Sequence, residues 1–139
     1  MKYSAAVVDT NVVVAGLLTS DPGSPTVRIL DAMRRGGFPF LLSPPLLAEY
    51  REVLLRPKIR KRHGLGERDI DLLLTEIATH AIVREPEARD GAPDAKDNHL
   101  WSLLASQPDS VLVTGDRPLH RSPPPECAVL APGDFAASI

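Results

Sequence analysis

Apolar positions along the chain alternate between short continuous runs and stripes at helical spacing. Residues 3–8 form a brief, β-branched-rich run of the kind that makes a strand covered on both faces. Residues 12–18 predict the start of a helix, interrupted at 20–23. Ser24-Pro25 then supplies an N-cap with proline in the first helical position, and Gly36-Gly37 supplies the stop. Between them Val27, Leu30, Ala32 and Met33 recur at roughly helical spacing. Residues 38–42 predict a second strand, and Ser43-Pro44-Pro45 opens a helix that Pro57 ends. A third helix is expected over about 67–80, with Ile70, Leu73, Leu74 and Ile77 on one face. A short third strand at 81–83 leads into a charged, proline-containing loop at 84–96. Residues 97–106 read as helix, 111–114 and 128–130 as the fourth and fifth strands, and 132–138 as a last helical turn.

Strands alternating with helices predict an α/β fold with a parallel sheet covered on both faces. In such sheets the functional crevice lies beyond the carboxyl ends of the strands. Asp9 directly follows the first strand and Asp116 lies two residues after the fourth. Either acid alone could equally be an N-cap, but together they mark two strand ends that should lie near each other. Glu49 sits on the edge of the stripe Leu46, Leu47, Tyr50, Val53 and Leu54, at the border of core and water, whereas Glu52 points away as a solvated charge. A rim acid that merely snorkels fits Glu49 as well. Asp97 shares a face with Leu100, Trp101 and Leu104, where a carboxylate is costly unless a cation or hydrogen bonds compensate it. Its other reading is a first-turn acid favoured by the helix dipole. Asp94, after Pro93, is the more natural N-cap, and could reach an ion only through water or through another ligand.

Four acids converging on one site cannot all ionise near neutral pH without a counter-charge. Hard divalent cations supply one, and Mg²⁺ in particular binds through few carboxylates plus water and phosphate. His63, His80, His99 and His120 lack ligand spacing and read as surface or capping residues. The chemistry implied is metal-assisted attack of water on a phosphodiester.

Composition narrows this further. A length of 139 residues suits one domain spanning 1–139, and Leu, Ile, Val and Phe are frequent enough to bury a real core. With 16 Lys+Arg against 18 Asp+Glu the net charge is −2, so no global positive field is available to hold a nucleic acid. A polyanion would have to be gripped locally. The sequence from Arg56 to Arg62 carries five cations in seven residues, with Arg51 shortly before; it is either a solvated loop or a phosphate-contacting patch centred on Arg60 and Lys61. Arg117 and Arg121 follow closely after Asp116, and Arg117 could hold the scissile phosphate or pair with an acid. The single Cys127 excludes an intrachain disulfide and a cysteine-based zinc cluster and fits a reducing cytosol. Met1-Lys2 followed by an apolar stretch has the outline of a signal peptide, but Asp9, Thr10 and Asn11 interrupt it, and no uncharged run approaches the ~20 residues of a membrane span. A soluble, cytoplasmic protein is expected. The few aromatic residues fall mostly at core phases, so no platform for reading single-stranded bases is expected.

Four motifs in order resemble the PIN-domain nucleases: Val7-Val8-Asp9-Thr10-Asn11; Glu49 within Ser43-Pro44-Pro45-Leu46-Leu47-Ala48-Glu49-Tyr50; Asp94-Ala95-Lys96-Asp97-Asn98; and Leu112-Val113-Thr114-Gly115-Asp116. The likeness runs from about Tyr3 to Phe135 and is greatest to the bacterial branch of toxin components of toxin–antitoxin pairs, relatives of the VapC toxins. It implies a three-layer α/β/α fold with a central parallel sheet of about five strands. It also implies a Mg²⁺- or Mn²⁺-dependent endoribonuclease in which Asp9, Glu49, Asp97 and Asp116 are the catalytic metal ligands, with Asn11 and Thr114 as orienting neighbours. The acid before the last long helix is doubled, so Asp94 competes with Asp97 for the third place; helical phase favours Asp97. An RNA substrate, a homodimer and an antitoxin partner follow from the same resemblance. Two other readings stand beside it: a catalytically silent PIN-like module that binds RNA or protein, and a phosphohydrolase using Asp9 as covalent nucleophile. Against the second, Asn11 stands where that chemistry usually wants another acid.

Overall fold

Five short parallel strands carry the molecule, whose computed structural model describes residues 1–139. β1 (Ala5–Val8), β4 (Ser110–Val113) and β5 (Ala128–Leu130) form a three-stranded sheet in the order β1-β4-β5. Val8 pairs with Val113, and Val113 with Leu130. β2 (Leu41–Leu42) and β3 (Ile82–Val83) pair separately. A single parallel bridge between Ala6 and Phe40 joins the two pieces, giving the spatial order β3-β2-β1-β4-β5. The continuous sheet is therefore smaller than the five strands expected. Pro39 offers the Ala6 amide a carbonyl at 3.0 Å but has no N–H of its own, so the 38–42 run contributes a regular ladder only from Leu41 onward.

The order reverses between β1 and β4. Connections leaving β1 travel to one side of it, and β4 and β5 lie on the other, which makes the carboxyl ends of β1 and β4 the topological switch point. The helices α1 (Thr10–Leu18), α2 (Pro25–Arg35), α3 (Pro44–Leu54) and α5 (Glu67–His80) pack among themselves, while α6 (Asn98–Ala105) lies against β1 and β4. Thirty-one buried hydrophobic residues form one cluster between these layers, with Tyr50, Phe40, Phe135, Ile29 and Met33 among its largest members. Every residue of β1 and β4 is buried, Ser110 included, which is why 5–8 and 111–113 read as uninterrupted apolar runs rather than alternating ones.

Local chemistry explains most boundaries. Ser43 caps α3 by accepting from the Leu46 amide, and Gly36 ends α2 in the left-handed conformation at φ 72°. Gly16 is required by packing: a Cβ there would stand 2.6 Å from the Thr26 carbonyl of α2. Pro57 is not the end of helical structure. It occupies the first turn of α4 (Pro57–His63), so the basic run is a helix, closed by Gly64 and tied back to α3 by a 2.8 Å bond between His63 Nε2 and the Leu54 carbonyl. A 3₁₀ turn at Ala95–Asp97 precedes α6, and a five-residue helix, α7 (Arg117–Arg121), follows β4. The chain closes with α8 (Pro132–Ala136). No helix is long and apolar enough to cross a membrane.

Candidate active site

The end of β1 turns directly into α1, and Asp9 is the residue at the turn. One carboxylate oxygen, Oδ1, caps the helix by accepting from the Thr10 amide at 2.8 Å. The other, Oδ2, accepts from the Thr114 hydroxyl at 2.8 Å and from the Asn11 amide at 3.3 Å. Thr114, at the end of β4, also receives the Asn11 amide at 3.3 Å and the Asp116 backbone N–H at 3.0 Å, and Asn11 Oδ1 accepts from the Gly115 N–H at 3.2 Å. These bonds latch the two strand ends together. Asp9 is thus both helix cap and crevice acid, so the two readings of it were not exclusive.

Asp9 is only 6% exposed, and burial pushes its carboxyl above the usual range. The Thr114 and Thr10 hydrogen bonds pull it back, while the charges of Glu49 and Asp116 push it further up. Glu49 reaches the same region from α3. Its Oε1 accepts from the Thr10 hydroxyl, and its Oε2 lies 3.0 Å from His99 Nε2. The His99 bond, foremost, holds the Glu49 carboxyl below its ordinary value despite burial. Asp97, half-buried ahead of α6, is pushed up to about 6, first by burial and then by the charges of Asp9, Glu49, Asp94 and Asp116. Asp116 precedes α7 without spending its side chain on a capping bond.

All four acids line one cavity of about 850 Å³, together with Thr10, Asn11 and Asp94. A second cavity of about 860 Å³, around Trp101 and Cys127, holds none of the four. Asp94 is exposed and accepts from the Lys96 amide at 2.9 Å, capping the 3₁₀ turn. No group of three or more His, Cys, Asp or Glu side chains is drawn close enough to hold an ion by protein atoms alone. The donor set consists of hard carboxylate oxygens around an open cavity, with raised acids awaiting a counter-charge. It fits a divalent ion of the Mg²⁺ or Mn²⁺ kind completed by water and phosphate, and not a closed cage.

The cavity's cations are Arg56, Arg62 and Lys96. Arg60, Lys61 and Arg117, the expected phosphate contacts, are exposed and do not line it, nor does Arg121. Arg51 is taken up by Glu67 at 2.5 Å and Asp71 at 2.8 Å on α5, outside the cavity. Glu52 is exposed as expected but stands on the cavity rim, 3.5 Å from Arg56. His99 is the site residue that sequence reasoning passed over as a surface or capping histidine. Its position two residues beyond Asp97, in the same turn, was the one available signal.

A family model described as PIN domain matches residues 5–118, a span that includes all four acids and stops short of β5 and α8. The chain is also similar to the uncharacterized protein MJ1680 of Methanocaldococcus jannaschii, 27% identical over 113 residues that cover 81% of this chain and 71% of the relative.

Proposed function

The chain belongs to the PIN-domain family, whose members are generally nucleases that use divalent metals, and we propose that it is a Mg²⁺- or Mn²⁺-dependent endoribonuclease, the toxin of a toxin–antitoxin pair. The observation that carries this reading is that Asp9, Glu49, Asp97 and Asp116 line one cavity. Burial first, and then the charges of Asp9, Glu49, Asp94 and Asp116, push the Asp97 carboxyl up to about 6. A divalent cation would offset such a cluster of carboxylates, and a phosphodiester nuclease is the enzyme that would use one there.

In this reading Asp9, Glu49, Asp97 and Asp116 hold the metal, and Asn11 and Thr114 orient Asp9 through the hydrogen bonds described. When bound, the ion supplies Lewis acidity and makes water a competent nucleophile at neutral pH. Arg56, Arg62 and Lys96 offset the repulsion between the acids and an RNA backbone and hold non-bridging phosphate oxygens beside the carboxylates. Asp9 is ill-suited to be a covalent nucleophile, because both its oxygens accept hydrogen bonds and it is buried.

The test is cleavage of RNA by purified protein in Mn²⁺, with and without chelator, beside Asp9→Asn. Cleavage lost under chelation and in the variant supports the reading. Absence of cleavage by the wild type, or cleavage that survives both treatments, rejects it; RNA binding without cleavage would favour a silent binding module. DNA of the same sequence decides the substrate class. The toxin role, the homodimer and the antitoxin partner rest on the motif resemblance. Growth arrest on expression, abolished by Asp9→Asn, tests the first. Solution mass alone and with the product of a neighbouring reading frame tests the other two.

A further inference from the structure

His99 lies in the first turn of α6 and reaches across to α3, where its Nε2 stands 3.0 Å from Glu49 Oε2. An ionised carboxylate can only accept, so Nε2 carries the proton. The other ring nitrogen, Nδ1, is buried and has no hydrogen-bond partner. Buried polar atoms nearly always find partners, so an imidazole is a poorer filler here than a leucine unless its far nitrogen has a task. Nε2, opposite the unpartnered Nδ1, makes one hydrogen bond, to Glu49. The opposite oxygen of Glu49 is held by the Thr10 hydroxyl, and Thr10 is the residue next to Asp9. Glu49 is therefore gripped from both sides, by α6 and by α1, with its side chain still 28% exposed to the cavity.

We propose that His99 is a positioning residue that, paired with Thr10, holds the Glu49 carboxylate ready as a metal ligand before any ion arrives. The proposal rests on the nuclease reading above. A carboxylate on a glutamate stem has several rotamers, and the two donors select one. Glu49 so held lines the same cavity as Asp9 and Asp97. Partners of this kind around a metal site typically change affinity by about 10–100-fold when removed.

The experiment measures Mn²⁺ binding to the RNA-free protein, by the electron paramagnetic resonance signal of free Mn²⁺, in the wild type, His99→Leu and His99→Gln. His99→Leu should weaken binding by about 10–100-fold while lowering the melting temperature of the metal-free protein only modestly, because leucine removes the hydrogen bond to Glu49 but also the unpartnered nitrogen. His99→Gln, whose amide N–H can reach the same oxygen, should recover most of the affinity. His99→Phe, which keeps the ring's bulk without the donor, serves in place of leucine if that variant does not fold. Wild-type affinity in the leucine or phenylalanine variant overturns the proposal, as does a glutamine variant no better than leucine. A wild-type protein that binds no Mn²⁺ overturns the nuclease reading and this one together. Tight wild-type binding with an indifferent His99→Leu overturns only this one.

Discussion

The Thr114 hydroxyl donates to Asp9 Oδ2 at 2.8 Å, joining the end of β4 to the end of β1 across 105 positions of sequence. Thr114 is fully buried, and the same oxygen accepts the Asp116 amide at 3.0 Å. One hydroxyl thereby sets the relative position of two of the four acids. It also provides a buried carboxylate with a donor that it cannot replace with water.

Thr114→Val keeps the shape and removes the hydroxyl. Asp9 then loses its largest compensation for burial, and the Asp116 amide loses its acceptor. The variant is expected to be less stable by about 1–3 kcal/mol in a denaturant titration, with Asp9 pushed further above the usual carboxylate range. Metal-dependent cleavage should fall as well, since the ion would meet a less ionised and less fixed acid. A variant as stable and as active as the wild type would show that the latch has no energetic weight.

The acids also set how stability depends on pH in chelator. Asp97 titrates near 6 when folded against 3.8 ordinarily, and Asp9 is raised as well. In that window the folded chain holds more protons than the unfolded one, so stability falls as pH rises from about 4 to about 6. Glu49 works in the opposite sense: its lowered carboxyl contributes stability above its ordinary 4.5, which is lost as pH falls through the folded value. Thermal melts across pH 4–7 in chelator should show the decline in the wild type and a shallower one in Asp97→Asn. Added Mn²⁺ should restore stability chiefly above about pH 6, where Asp97 is ionised.

How much of this was legible beforehand depends on whether the cause is local. Asp9 and Asp116 could be found because each follows a wholly buried apolar strand, and the switch-point rule then says where to look. Glu49 could be placed because one helical stripe fixes its phase. The shortened second strand could not, because the run at 38–42 looks continuous until Pro39 fails to extend the ladder. α4 was hidden by its like charges and by a proline that can stop a helix or start one. Arg51 belongs by sequence to the basic run, yet in space it belongs to Glu67 and Asp71. His99 pairs with a residue 50 positions away, a relation no local pattern carries.

Packing around Gly16 supports the site from below. α1 begins at the Asp9 cap, and a methyl group at Gly16 would sit 2.6 Å from the Thr26 carbonyl and 2.9 Å from Leu30 Cβ. Backbone on one side of that contact cannot yield as a flexible side chain would, so α1 and α2 must separate. Gly16→Ala should cost about 1–3 kcal/mol and lower the melting temperature. A loss of activity larger than the unfolded fraction explains would show that the strain travels along α1 to Asp9.

The basic helix divides into residues that face the acids and residues that do not, and RNA binding should divide with it. Arg56 and Arg62 line the cavity, whereas Arg60 and Lys61 lie outside it. Arg56 is only loosely engaged, 3.5 Å from Glu52 with both side chains largely exposed, and Arg62 has no ion-pair partner. Both are free to meet phosphate. Each phosphate contact on a single strand should contribute roughly 0.7 to the slope of log affinity against log salt. Removing Arg62 or Arg56 as alanine should therefore weaken binding and flatten that slope by about this amount, whereas Arg60→Ala and Lys61→Ala should change it less. The measurement is fluorescence anisotropy of a labelled RNA at several salt concentrations, in an Asp9→Asn background so that the probe stays whole. Equal effects at all four positions would mean that RNA is drawn by the helix's total charge, not seated beside the carboxylates.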